Sequence, residues 1–247
     1  MTVLMCALVA GAVVGLALGG LGGGGSVLAV PALIYLLGFT PAAATTASLI
    51  IVTLTSVTAL VGHTRDGNVA WRTGLLFAAA GIVPAVLAGA ASNHLPQTAL
   101  TCAFAVIAAL AALRMLRPAP TGNTGTVHSA RAGAAGAGLG AVTGFLGVGG
   151  GFLAVPALVG VLNLPMRRAV GTSLLVITVN SLAALGARAG TGTRLDWAVV
   201  APFTATAVLG AWDGKRLSKK LKGPTLQRLF ACVLLAVAAL MLIDALV

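Results

Sequence analysis

The sequence predicts an all-α integral membrane protein made of two inverted-topology repeats, each with a membrane hairpin containing a short half-helix plus about three transmembrane helices. Three observations carry this reading: the composition, a motif that recurs at a fixed offset, and the placement of basic residues between apolar runs. Of 247 residues, 59% are hydrophobic and 8% charged, and the acids are four aspartates. A soluble domain carries ~25% charge and about 45–50% apolar residues. A chain this apolar has too little polar surface to cover a water-facing exterior, so its exterior faces lipid. That excludes a cytosolic globular enzyme, a disordered chain and a disulfide scaffold. The net charge of +11 would suit nucleic acid if the basic residues formed one stripe. They lie between apolar runs instead, where they read as topology signals, and no nucleic-acid partner is expected.

The duplication fixes the domain plan. Leu21-Gly22-Gly23-Gly24-Gly25-Ser26-Val27-Leu28-Ala29-Val30-Pro31-Ala32-Leu33 aligns without a gap on Leu146-Gly147-Val148-Gly149-Gly150-Gly151-Phe152-Leu153-Ala154-Val155-Pro156-Ala157-Leu158, an offset of 125. The register extends back through Gly15/Gly140 and forward through Ser48/Ser173 and Ser56/Ser181. The domains are therefore 1–116 (first repeat), 117–131 (a Pro- and Gly-rich aqueous linker) and 132–247 (second repeat).

Each repeat divides into five apolar elements. The first, 2–20, lacks the basic leader of a cleaved signal peptide and reads as a helix; its counterpart is 132–146. Gly11/Gly15 and Gly136/Gly140 within them fit close small-residue helix contacts, so Gly11→Ala is expected to impair transport far less than Gly24→Val or Gly149→Val in the glycine runs. The second elements, 26–37 and 151–162, follow glycine-rich breaks and carry a proline at the sixth residue. At ~1.5 Å per residue they reach about 18 Å, roughly halfway through a ~30 Å hydrocarbon core. The third (44–62, 170–187), fourth (73–91, 197–213) and fifth (97–116, 226–246) elements are long enough to cross, or nearly so. Cys6, Cys102 and Cys232 fall inside apolar segments without metal-ligand or CxxC spacing, and core packing is expected.

Charge sets the orientation. If the first two elements of each half form a hairpin entering and leaving on one side, Arg65, Arg72, Arg114, Arg117, Arg131, Arg167, Arg168, Lys215, Arg216, Lys219, Lys220, Lys222 and Arg228 fall inside. Only Arg188 and Arg194 fall outside. If both halves share one orientation instead, the 15 basic residues divide almost evenly. The positive-inside rule prefers the first arrangement. The halves are then inverted, the linker is cytoplasmic and both termini are outside.

Irregular backbone at membrane depth is tolerated where it is buried in protein or lines a cavity. Opposed half-helices in repeated halves are a construction of secondary transporters. The breaks at Gly22, Gly23, Gly24, Gly25 and Ser26, and at Gly147, Gly149, Gly150 and Gly151, lead into helix N-termini that offer bare N–H groups and partial positive charge. They are candidate binding residues for a small anion. Neither run is a P-loop, which would need Lys-Ser/Thr, nor a dinucleotide fingerprint, which would need a βαβ unit. Thr45, Thr46 and Ser48, with Thr172 and Ser173, open the third elements. Their hydroxyls either donate to an oxyanion or cap and bond back to the i−4 carbonyl. Asn180, opposite Thr55 in the register, is either interhelical glue or a site ligand, since a buried amide is costly unless bonded. His63, beside Arg65 and Asp66, reads as part of a solvated loop. No metal set, cofactor site or acid–base–nucleophile arrangement is expected, and the chain does not read as an enzyme.

The GxGGG-x3-VPAL pattern at 147–158 with its first-half twin resembles the TauE/SafE family of membrane permeases. So do the Ala169-Val170-Gly171-Thr172-Ser173 step and the His63-Thr64-Arg65-Asp66-Gly67-Asn68-Val69-Ala70-Trp71 loop. The resemblance covers essentially the whole chain. It implies a multi-pass bacterial inner-membrane protein that exports or takes up sulfite, sulfoacetate or related organosulfonates, as a sulfite exporter does. The sequence departs from that pattern at Ala47, where the second half has Thr172, and at Ala70, where many relatives would carry an acid before the tryptophan. The expected partners are a small anionic substrate and the lipid bilayer, with a homodimer among the open oligomeric states. The alternatives are a permease for another small solute or a metal ion, and a non-transporting membrane assembly protein. A cation carrier would want carboxylates or thiolates at the midplane, whereas Asp66 and Asp196 lie in loops and Asp213 and Asp244 near element ends.

Overall fold

The structure, a computed structural model, describes residues 2–92, 97–116, 129–145, 151–188 and 195–246, and these are all helical apart from short connections. The helices are α1 (Thr2–Leu21), α2 (Gly24–Pro31), α3 (Pro41–Arg65), α4 (Trp71–Ser92), α5 (Gln97–Leu116), α6 (Ser129–Phe145), α7 (Gly151–Gly160), α8 (Met166–Arg188), α9 (Trp197–Lys220) and α10 (Gly223–Leu246). Five among the described residues are long and apolar enough to cross a membrane: Leu4–Leu21, Pro41–Arg65, Trp71–Ala88, Met166–Arg188 and Gly223–Ile243. Large apolar side chains such as Met5, Val9, Val13, Val83, Val86, Leu87 and Leu240 face outward, as a lipid-facing exterior requires.

The second elements are short. α2 carries Pro31, which has no N–H to donate, and a π turn (Ala32–Leu36) extends it. α7 is a ten-residue helix with Pro156 inside. Both end the same way. Gly38 (φ +69°) and Asn163 (φ +53°) take the left-handed conformation. The next N–H groups, Phe39 and Leu164, donate back to the carbonyls of Leu33 and Leu158, each at 3.0 Å and each six residues back, a closure one residue wider than that of a Schellman turn. The two closures lie 125 residues apart. α3 begins on Pro41 with Thr40 as its N-cap, and Asp196 caps α9 by accepting the Ala198 N–H at 3.0 Å.

The helices pack by exchange between the halves. α1 lies parallel against α9 with no side-chain layer between them. A Cβ added at Gly15 would stand 2.0 Å from the Ala207 carbonyl oxygen, and one at Gly19 2.0 Å from that of Ala211. α6 lies parallel against α4 in the same manner, Gly136 on Phe77 and Gly140 on Gly81. At the centre α3 and α8 are antiparallel: Thr178 donates to Ser56 at 2.9 Å, and Arg188 reaches Thr46 at 3.5 Å. α5 and α10 are also antiparallel, tied by Gln227 Nε2 donating to the Met115 carbonyl at 2.5 Å. Two apolar cores flank the α3–α8 pair. One joins Val14, Leu18, Leu33 and Ile51 to Leu174, Phe203 and Ala207. The other joins Phe77 and Ala108 to Phe152, Leu158 and Phe230.

Several expectations are corrected here. The break after α1 is shorter than the glycine run, because Gly24 and Gly25 already belong to α2. Gly25 packs against Leu18 and the Val14 carbonyl, and this contact overrides glycine's weak helix propensity. A methyl at Gly11 would press on the Phe203 carbonyl oxygen, so the close small-residue contact expected there is a tight one. Cys6 and Cys232 are exposed and Cys102 half-buried. An apolar segment does not imply an interior side chain when the surroundings are lipid. His63 is on α3, not in a solvated loop, and is buried.

Candidate functional site

The site is built where α1 breaks. Gly22 has φ +75°, a left-handed conformation open to glycine at little cost, and it turns the chain from α1 into α2. That turn sits directly on the second half. A Cβ at Gly22 would lie 2.5 Å from Ser173 Oγ and 3.3 Å from the Val170 carbonyl oxygen. A Cβ at Gly23 would stand 2.1 Å from the Gly151 carbonyl oxygen and 2.7 Å from Phe152 Cα. The structure thus brings Gly22, Gly23, Gly151 and Ser173 into one backbone-to-backbone junction at the start of α7. Gly24, Gly25 and Ser26 continue into the first turn of α2. Gly147, Gly149 and Gly150 lie outside the described residues.

The hydroxyls fall in two groups. Thr172 and Ser173 are fully buried in the early turns of α8. Thr172 Oγ1 accepts the Ala70 N–H at 3.0 Å, and Ser173 donates to the Val170 carbonyl at 2.8 Å. Thr45, Thr46 and Ser48 sit in the first turns of α3, toward the opposite end of α8. There Thr45 and Thr46 bond back to the carbonyls of Pro41 and Ala42, and Ser48 to that of Thr45. Between these groups runs a belt that the sequence reading did not single out as a site: Thr53, Thr55, Ser56, Thr178 and Ser181, all buried. Their signal was the register itself, since Thr53/Thr178 and Ser56/Ser181 recur at the 125-residue offset. Asn180 is half-buried beside this belt, and its Oδ1 is buried with no hydrogen-bond partner.

A polar cluster borders the glycine junction on one side. His63 Nε2 lies 3.3 Å from the Gly19 carbonyl oxygen, in the last turn of α1. The loop from Asp66 to Ala70 passes over Gly171, whose Cβ would meet the Asn68 carbonyl oxygen at 2.2 Å. Asp66 is clasped by Lys215 at 3.1 Å and Lys219 at 2.8 Å. The hydrogen bond from Lys219, with Lys215 adding to it, holds the Asp66 carboxyl below the ordinary carboxylate range. No group of three potential metal ligands occurs among the described residues.

These features define a multi-pass helical membrane protein whose interior joins the break after α1 to buried hydroxyls, with a basic cluster at one end. Residues 7–241 match the family described as "Sulfite exporter TauE/SafE", and the chain belongs to that family; it is a membrane transporter. It is 32% identical over 239 residues to a "Probable membrane transporter protein" of Xylella fastidiosa strain 9a5c, covering 92% of this chain and 90% of the relative. It is 31% identical over 237 residues to the protein so described from strain Temecula1, with the same coverage. No solved structure matches.

Proposed function

We propose that the protein is a permease for a small sulfur-containing anion, sulfite, sulfoacetate or a related organosulfonate, and exports it down the membrane potential. The observation that carries this reading is the junction of Gly22 and Gly23 with Gly151 and Ser173, where the break after α1 meets the first residues of α7 against α8. N–H groups and hydroxyls are the donors an oxyanion needs, and they require no buried arginine. The inverted-repeat reading is supported by the antiparallel packing of the corresponding helices, α3 with α8 and α5 with α10. With the basic residues inside, the Asp66 cluster lies on the cytoplasmic face and both termini lie outside. The Thr172/Ser173 step and the glycine junction are then the substrate-binding region, and Thr45, Thr46, Ser48 and Asn180 line the route beyond it.

The energetics follow from the donor set. Proton-coupled carriers hold a titratable group within the membrane on the path; the aspartates here lie in loops or near element ends, and the buried His63 sits in the last turn of α3, at the mouth of the route rather than at its middle. An inside-negative potential expels an anion by ~2.3 kcal/mol per charge for each 100 mV. A dianion gains about twice that, enough for a more than thousandfold gradient at ~1.4 kcal/mol per tenfold. The test is sulfite flux in proteoliposomes under a potassium–valinomycin potential without a pH or sodium gradient. Flux that follows the potential is expected. Flux that ignores the potential and follows an imposed pH gradient would overturn uncoupled export.

A further inference from the structure

The Asp66 clasp sits beside the glycine junction, and its charge is unbalanced. Lys215 Nζ approaches Oδ2 at 3.1 Å and Lys219 Nζ approaches Oδ1 at 2.8 Å. Each carboxylate oxygen therefore takes one ammonium, leaving a net positive charge on the pair. Arg167 adds a third cation, its Nη2 donating to the carbonyls of Lys219 and Leu221 at 3.0 Å each. That anchor fixes the end of α9 that carries the lysines. A cavity of about 10 Å³ lies between Arg167 and Lys219, lined also by His63, Asp66, Asn68 and Val170. His63 is only 4% exposed, and its Nδ1 is buried without a hydrogen-bond partner. The carbonyl of Val170, which lines the cavity, also accepts the Ser173 hydroxyl and faces Gly22. The cavity and the junction therefore share a wall.

We propose that this cluster is the cytoplasmic docking site for the transported oxyanion, occupied in this conformation by the protein's own Asp66 carboxylate. The assignment rests on the anion-permease reading above and adds the residues that load it. A sulfite or sulfonate group presents oxygens at the spacing of the carboxylate, so it takes the same two ammoniums and releases Asp66. The lysines are graded for this exchange. Lys219 is 50% exposed at its side chain and meets the anion first; Lys215 is 16% exposed and lies deeper, against Gly62. A purely structural ion pair needs one lysine, whereas here two share one carboxylate.

The test uses the full-length protein with sodium sulfite as the probe. Two quantities are read: sulfite-induced thermal stabilisation in detergent against chloride at equal ionic strength, and the KM and Vmax of flux in proteoliposomes. Lys219→Gln is expected to weaken sulfite stabilisation and raise KM by on the order of tenfold, equivalent to ~1.4 kcal/mol. Asp66→Asn is expected to lower KM by removing the internal competitor. Lys220→Gln, exposed on the same helix, should leave both readouts unchanged. Sulfite responses that are the same in wild type, Lys219→Gln and Lys215→Gln overturn the docking site, as does a loss of Vmax at unchanged KM. Flux with unaltered KM in the lysine variants sinks this inference alone. Lysine-dependent sulfite stabilisation without flux supports the site and sinks the export reading instead.

Discussion

Gly138 and Gly140 stand two residues apart on α6, yet an added methyl should have opposite consequences at the two positions. At Gly140 the Cβ would lie 2.1 Å from the Gly81 carbonyl oxygen and 2.6 Å from its Cα, where ordinary contact begins at 3.4 Å. The obstructing atoms are backbone, so the gap of about 1.3 Å can be relieved only by moving α4 away from α6. Forcing a methyl into a filled interface costs ~1–3 kcal/mol. Within a membrane little else holds such a pair, because helix association depends on close van der Waals packing. At Gly138 nothing lies within 4 Å of the added Cβ. Both substitutions gain the same ~1 kcal/mol of helix propensity. The difference between them therefore isolates the clash, and a gap of ~1–3 kcal/mol corresponds to about a 5- to 150-fold change in the unfolding equilibrium. Gly138→Ala should be neutral or stabilising and Gly140→Ala clearly destabilising. Gly15→Ala, the counterpart 125 residues earlier, should behave like Gly140→Ala because its Cβ meets the Ala207 carbonyl oxygen. The double variant should be additive within ~0.3–0.5 kcal/mol, since the two interfaces share no partner. Equilibrium unfolding in mixed detergent micelles measures all four. Equal stabilities for Gly138→Ala and Gly140→Ala would refute the close-packing argument.

Two further outcomes follow from the charged face. The Asp66 carboxyl titrates below its ordinary value of 3.8 because of Lys219 and Lys215, so its contribution is present above pH 3.8 and is lost as pH falls through the lowered value. Thermal unfolding from pH 8 to 5 should show a constant penalty for Asp66→Asn, because the carboxylate stays ionised throughout that range. A penalty that fades between pH 7 and 5 would mean that His63 or another neighbour, not the carboxylate facing Lys215, Lys219 and Arg167, controls the clasp. In the second, single cysteines probed on intact cells should place 117–131 and 214–224 in the cytoplasm and both termini outside; an accessible linker with a protected C-terminus would reverse the orientation.

Much of this architecture is legible in the sequence because membrane helices leave strong marks. The apolar runs, the glycine spacing at Gly11/Gly15 and Gly136/Gly140 and the duplicated proline each follow from a single physical demand. What the sequence does not show is which surfaces meet. A small-residue stripe announces a close partner without naming it, and here the partner belongs to the other half: α9 for α1 and α4 for α6. The burial of His63 was hidden for a similar reason. Beside Arg65 and Asp66 it looks like loop, but α3 runs through Arg65 and the end of α1 supplies a carbonyl for the imidazole. The hydroxyl belt was visible only as a register, since a threonine bonded to its own helix looks the same in sequence whether it faces a neighbour or lipid.

The places where the two halves differ carry information that the duplication cannot. Thr172 accepts the Ala70 N–H and ties the loop carrying Asp66 to α8. Its counterpart Ala47 is buried and has no hydroxyl to accept such a bond. The two ends of the α3–α8 pair are therefore held differently: one by a side-chain bond to a loop and a clasp above it, the other without that bond. If the two ends open in turn, such asymmetry bears on how often each opens and not on the direction of net transport. A device with no coupled ion moves solute toward equilibrium whichever end opens more readily, because unequal gates alter forward and reverse rates by the same factor. If the protein is the uncoupled anion permease proposed above, a bias toward export comes from the membrane potential acting on the anion's charge, and the tied loop governs only the rate.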